Sequence, residues 1–298
     1  MGVRAQFRYM LAGLVLAGSF AMAAGAQTPA PSQADWVAAR QEITVANGQT
    51  LTYVTFGAAE GLPLILLHGM TDNSRSWSLL APYLGDRRII ALDLRGHGGS
   101  AAPLCCYGID ALADDLGGFM DALNIEKADI VGHSMGSFTA AVFAALHPDR
   151  VNRLVLISTA TSIPQASLDW LWANVPGLPD TIDPNSQFML DWYWNPNPVD
   201  AGFIDRERAE SAATPKQVWM GVLRAFTLTD WTPYAARITA PTLVMWGDQD
   251  GLFGAEAEDH IKAVLPAARF EVFAGFGHNM FWETPETAGG MIAGFLAE

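Results

Sequence analysis

Residues Ile130 to Ser137 read IVGHSMGS, and this octet constrains the chain more than any other stretch. Before it, KADIVG is a short apolar run with β-branched residues. After it, MGSFTAAVFAALH, Met135 to His147, has the length and alanine content of a helix. A strand therefore runs through a sharp turn into a helix, with Ser134 at the turn. Gly132 and Gly136, two residues to either side, are small enough for strand and helix to approach each other. Ser134 is then held outward at a helix N-terminus, where free backbone N–H groups favour developing negative charge. A Gly/Ser turn with no chemistry would share this local pattern, so the rest of the chain has to supply partners.

The rest of the chain repeats the same rhythm. Glu42 to Phe56 holds two alternating segments around Asn47-Gly48, a hairpin signal. LPLILL (62–67) is a buried strand, a helix is expected over Ser74 to Leu84, and RRIIALDL (87–94) is the next strand. A helix over Ile109 to Leu123 leads to the strand before Ser134, and VNRLVLIST (151–159) follows. Alternating strands and helices imply an α/β chain with a mostly parallel central sheet covered on both faces. The rhythm breaks from Ser162 to about Ile238, a stretch rich in Trp and Pro, and resumes with APTLVMWG (240–247), a helix over 255–264, a strand over 268–275 and a last helix over 284–296. The break reads as a helical cap inserted between two strands of one sheet.

At 298 residues and 50% hydrophobic composition the chain can bury a large core. Its first residues read differently. Arg4 and Arg8 precede the apolar segment Tyr9 to Ala23, and Ala24-Gly25-Ala26 has the form of a cleavage site. The expected organisation is a signal peptide over 1–26, a linker over 27–40, a core over 41–161, a cap over 162–238 and the second part of the core over 239–298. The mature chain is expected in the periplasm or secreted, without a stable membrane anchor. Losing Arg4 and Arg8, with no acid in the signal, takes the formal charge from -14 to -16. So acidic a chain is not expected to bind nucleic acid, which needs a basic surface. Cys105 and Cys106 are adjacent. They could form a vicinal disulfide, but that closes a strained ring, and free or buried thiols are the favoured expectation.

Four blocks carry a resemblance: LLHGMTDNSRSW, ALDLRGHGGS, IVGHSMGS, and the pair LVMWGDQDGLF and FAGFGHNMFWETPE. The chain resembles the lidded serine hydrolases of the α/β-hydrolase fold, the group that holds esterases and lipases, over nearly all of its mature length. The resemblance implies a nucleophile, an acid and a histidine in that order. Ser134 is the implied nucleophile. A serine hydroxyl needs a base, and His278, in the loop after the last strand, is the histidine the fold would bring over it. His68 and His133 are expected to support the geometry of their own motifs, His97 lies in a Gly-rich loop, His147 ends a helix, and His260 sits on one. Asp250, the second acid of GDQD, is implied as the partner of His278, with Asp248 as the alternative or as a turn residue. The amides of Met70 and Met135 are the expected oxyanion donors. Asp93, Arg95 and His97 are expected to brace a loop, and Trp170, Trp172, Trp192 and Trp194 to wall a substrate cavity.

The expected reaction is cleavage of a carboxylic ester or lactone of a small, apolar or aromatic molecule through an acyl-enzyme, with no metal or organic cofactor. The same three residues support carbon–carbon bond or amide hydrolysis. A slow-turnover ligand-binding module is a further alternative.

Overall fold

The computed structural model describes residues 28–298. The segment expected to be a signal peptide lies outside the described residues. Eight strands form one sheet in the order β1-β2-β4-β3-β5-β6-β7-β8. β1 (Gln41–Thr44) and β2 (Thr50–Gly57) are the hairpin read around Asn47-Gly48, antiparallel in register Gln41 to Tyr53, and β2 runs antiparallel to β4 (Arg88–Asp93). β3 (Leu64–Leu67), β4, β5 (Ala128–His133), β6 (Val151–Ile157), β7 (Thr242–Gly247) and β8 (Arg269–Phe273) are parallel. Every residue of β3, β5 and β7 is buried, as expected for parallel strands covered on both faces. β3 has β4 on one side and β5 on the other, so the chain order reverses there. Ligands of open α/β sheets bind at such a point, beyond the carboxyl ends of the strands.

Helices α1 (Ile109–Ala122) and α2 (Met135–Leu146) pack together, and α2 also covers β5 and β6. All but the last residue of α2 are buried, which explains its uniformly apolar sequence. Between β6 and β7 the chain leaves the sheet as α3 (Gln165–Asn174), α4 (Gln187–Trp192), α5 (Ala201–Ala213) and α6 (Lys216–Leu228). Asp200 caps α5 by accepting from the Phe203 N–H, and Phe203, Val218, Trp219 and Leu223 form the buried centre of this cap. The chain then closes with α7 (Ala255–Val264), the short α8 (Met280–Glu283) and α9 (Pro285–Ala297).

Two expectations are corrected. No α-helix runs over 74–84; two 3-10 turns, Ser74–Trp77 and Ala81–Tyr83, take its place. Asn73 caps the first by accepting from the Arg75 N–H, and Pro82 lacks the N–H a continuous helix would need. Cys105 and Cys106 are not free or buried thiols: they are exposed and joined in a disulfide, with Cys106 at a φ of 75°.

Candidate active site

Ser134 sits between β5 and α2 at φ 51°, ψ -119°, a conformation that a non-glycine residue adopts only when its surroundings enforce it. The enforcement is visible in the two glycines. A Cβ on Gly132 would run into the carbonyl of Gly136, and a Cβ on Gly136 would run into the carbonyl of Leu67 at the end of β3. Backbone bonds fix the turn further: the Ser134 N–H donates to Ile157 O at 3.0 Å, and the Ser137 hydroxyl donates to Ser134 O at 2.6 Å.

Asp250 lies just beyond β7 and His278 just beyond β8, so adjacent strand ends bring them together. His278 Nδ1 is 2.7 Å from Asp250 Oδ2, and the Asp250 carboxylate is fully buried. Its other oxygen accepts from the N–H groups of Leu252 (2.8 Å) and Phe253 (3.0 Å). A carboxylate held by three donors orients the imidazole with Nδ1 protonated, leaving Nε2 as the basic nitrogen. Asp248 faces elsewhere. It accepts from the Gly275 N–H at 2.7 Å, in a turn role.

Ser134 and His278 line one cavity together with Met70, Asp72, Trp192 and Phe253. The space in it that the centre of a water can occupy is about 40 Å³, room for about three waters. A wider groove of about 410 Å³ lies outside it, walled by Trp170, Trp192 and Trp194. His278 and Trp192 line both. Of the expected aromatic wall, Trp192 thus borders both spaces, while Trp170 and Trp194 border the outer one. Trp172 borders neither; its Nε1 donates to Thr227 Oγ1 on the cap surface, which corrects its expected role. Trp170, Phe188 and Trp192 stack nearly parallel, with Trp170 and Trp192 6.0 Å apart at 7°.

Met135 is the first residue of α2, so its N–H has no carbonyl one turn back to bond. The Met70 N–H, in the loop after β3, donates to no carbonyl among the described residues. Met70 lines the cavity with Ser134, and Met135 follows Ser134 directly in the chain. In the DLRGHG loop, Asp93 accepts from Thr52 Oγ1 (2.6 Å) and the Ser74 N–H (2.6 Å) and forms an ion pair with Arg40 at 2.9 Å. Arg95 grips Asp115 with two bonds at 2.5 and 2.6 Å. His97 Nδ1 donates to the carbonyl of Arg95 at 2.8 Å. All three tie loops together and none lines the cavity.

His68 and His133 are buried and neutral. His68 donates from Nδ1 to Gly69 O (2.7 Å) and accepts at Nε2 from the Leu94 N–H (2.9 Å), and burial brings its pKa down to about 3. Burial, then the charge of His278, holds His133 well below the ordinary imidazole value. Asp72 and Tyr193 were missed in the sequence. The Tyr193 hydroxyl donates to Asp72 Oδ1 at 2.8 Å, and burial pushes the Asp72 carboxyl up to about 7 against the opposing effects of Tyr193, His278 and the Gly69 backbone. Only its place three residues after the His68-Gly69 pair could have drawn attention to Asp72.

Comparison with known proteins identifies the fold family. The family model for the α/β-hydrolase fold matches residues 63–285. The chain is similar to Lipase 3 of a Moraxella species (29% identity, 80% of this chain and 78% of that protein). It is also similar to 3-oxoadipate enol-lactonase 2 of Acinetobacter baylyi (28% identity, 70% and 79%). A solved hydrolase of Pseudomonas aeruginosa superposes with a TM-score of 0.76 at 29% identity, covering 87% of this chain and 98% of that one. With the family model spanning well over half of its length, the chain belongs to the α/β-hydrolase fold family, with a helical cap set between β6 and β7.

Proposed function

We propose that this protein is a serine hydrolase that cleaves a carboxylic ester or lactone of a small, apolar or aromatic molecule through an acyl-enzyme. The observation that carries the reading is the 2.7 Å bond between His278 Nδ1 and buried Asp250, with His278 and Ser134 lining the same cavity. His278 Nε2 takes the Ser134 proton as Oγ attacks the carbonyl carbon. The tetrahedral oxyanion is met by the Met70 and Met135 amides, and a single donor of this kind is worth about 10²–10³ in rate. His278 then returns the proton to the departing alcohol, leaving an acyl-Ser134 ester. Water, deprotonated by the same nitrogen, releases the acid. Asp250 holds the imidazole and stabilises its positive charge throughout.

Fold alone does not choose the bond. The ester and lactone reading draws support from the names of a lipase and an enol-lactonase among the relatives. The inner cavity suits a short acyl group and the Trp-walled groove a larger, flat leaving group. We also propose that residues 1–26 direct export to the periplasm or beyond, and that the partner is a small molecule rather than nucleic acid.

Release of nitrophenol from short-chain and aromatic acyl esters, with Ser134→Ala alongside, tests the reading. Turnover that disappears in the variant supports it. Turnover that survives Ser134→Ala would remove Ser134 from the chemistry.

A further inference from the structure

Asp72 is a buried carboxyl on the wall of the cavity that holds Ser134, and the proposed reaction gives it no task. Its two oxygens have different neighbours. Oδ1 accepts the Tyr193 hydroxyl at 2.8 Å. Oδ2 stands 3.9 Å from His133 Nδ1. The tautomer of His133 follows from its other nitrogen, which is 3.1 Å from the carbonyl oxygen of His278. A carbonyl only accepts, so the proton is on Nε2 and Nδ1 carries a bare lone pair with no hydrogen-bond partner. An ionised Asp72 would turn a negative oxygen towards that lone pair, whereas a neutral Asp72 removes that repulsion and leaves its hydroxyl hydrogen free to turn to the cavity that Asp72 lines.

It is burial that favours the neutral form of Asp72. Among the described residues no Lys or Arg pairs with it. From the cap, α5 places the buried carboxyl of Glu207 near it, and Glu207 has no hydrogen-bond partner for either oxygen. Arg40 and Arg75, the cations closest to Glu207 in effect, are already paired with Asp93 and Glu210. The Tyr193 hydroxyl after α4, then His278 beyond β8 and the Gly69 backbone, favour the charged form. Gly69 keeps the Oδ2 side open: a Cβ there would lie 2.8 Å from Asp72 Oδ2 and 2.9 Å from His133 Nδ1, and Gly69 itself borders the cavity.

We propose that Asp72 is a substrate-selecting residue that works as a neutral acid, its Oδ2 hydroxyl donating a hydrogen bond to an oxygen on the acyl part of the substrate. The favoured substrates are esters of short acids that carry a keto, ether or ester oxygen a few atoms from the scissile carbonyl, since Asp72 and Ser134 line the same small cavity. This inference rests on the serine hydrolase reading. A polar site that finds its partner gains, and the same site facing an apolar isostere is left with an unsatisfied donor.

The test uses two isosteric esters, nitrophenyl methoxyacetate and nitrophenyl butyrate, each rate divided by the rate of the same ester with hydroxide. Wild type should prefer the methoxyacetate by about tenfold or more, and the preference should fade as pH rises through about 7. Asp72→Asn keeps an oxygen for Tyr193 and an N–H donor in place of Oδ2, so it should retain the preference at every pH. Asp72→Leu should bring the ratio to parity. A wild-type ratio at parity, a preference that survives in Asp72→Leu, or the same pH dependence in Asp72→Asn overturns the proposal. If Asp72→Leu does not fold, the contrast between wild type and Asp72→Asn decides alone. If neither ester is turned over, the hydrolase reading fails separately. The infrared band of a protonated carboxyl just below pH 7 then judges Asp72: its loss in Asp72→Asn supports the neutral acid, and an unchanged spectrum contradicts it.

Discussion

The carboxylate of Asp250 binds Nδ1 of His278 at 2.7 Å while its second oxygen is held by the amides of Leu252 and Phe253. The acid is thus fixed before it meets the imidazole, and the tautomer of His278 follows from it. Asp250→Asn would offer either a carbonyl or an N–H to Nδ1, with no charge to stabilise the imidazolium. The expected loss in kcat is about 10³–10⁴-fold with little change in KM. Asp248→Asn, two residues away and committed to the Gly275 turn, should leave both constants within about threefold. Steady-state kinetics on one nitrophenyl ester reads both variants, and equal losses would refute the assignment.

Trp192 is the wall shared by the inner cavity and the outer groove, and its Nε1 is tied to Thr71 Oγ1 at 3.1 Å. Trp192→Ala should join the two spaces and shift preference towards longer acyl chains. The ratio of kcat/KM for octanoate over acetate esters should rise by about tenfold or more. Trp172→Ala, which touches neither space, should leave that ratio as it is.

Asp72 also gives a stability prediction. Its folded value, about 7, lies above its ordinary value of 3.8. The folded chain therefore holds this proton where the unfolded chain has lost it. Ionising Asp72 opposes folding increasingly as pH rises from about 4 to about 7, and the penalty is complete above that. Asp72→Asn removes the penalty, so its melting temperature relative to wild type should climb over the same window, by the equivalent of at most about 4 kcal/mol. A constant difference across pH would show that the carboxyl does not titrate differently in the folded state.

Arg95 and Asp115 are both buried, and among the described residues Asp115 otherwise accepts only from Asn47 at 2.8 Å. Arg95→Met should cost about 3–5 kcal/mol, because it strands a buried carboxylate. The double variant Arg95→Met/Asp115→Leu should recover much of that loss. Denaturant melts of the three proteins measure the difference, and a double variant no more stable than Arg95→Met would contradict this account of the pair.

The parts of this molecule that the sequence made legible are those in which local pattern and tertiary position coincide. β5, the turn at Ser134 and α2 are contiguous, and only glycine fits beside Leu67 and Gly136, so the octet announces the geometry by itself. His278 is legible because it follows the last strand at the edge where Ser134 stands, whereas Asp248 and Asp250 both follow β7 and only the resemblance to related G-D-x-D sequences favours Asp250. The cap was harder. Its tryptophans share a composition but not a place: Trp192 reaches the cavity, whereas Trp172 turns to Thr227, and helix packing decides between them. The segment over 74–84 looked helical by composition, yet Asn73 and Pro82 divide it into two short turns. Asp72 was silent because nothing in MTDNS distinguishes a solvated aspartate from one buried between Tyr193 and His133.

The central claim is that Ser134 is the nucleophile. Its most direct test is treatment of the protein with a nitrophenyl alkylphosphonate, an ester analogue that leaves a stable phosphonyl group on an activated serine, followed by intact-mass and peptide analysis. The account predicts one adduct per chain, located on Ser134, abolished in Ser134→Ala and strongly slowed in Asp250→Asn. An adduct on another residue, or labelling of Ser134→Ala to the same extent, would contradict it.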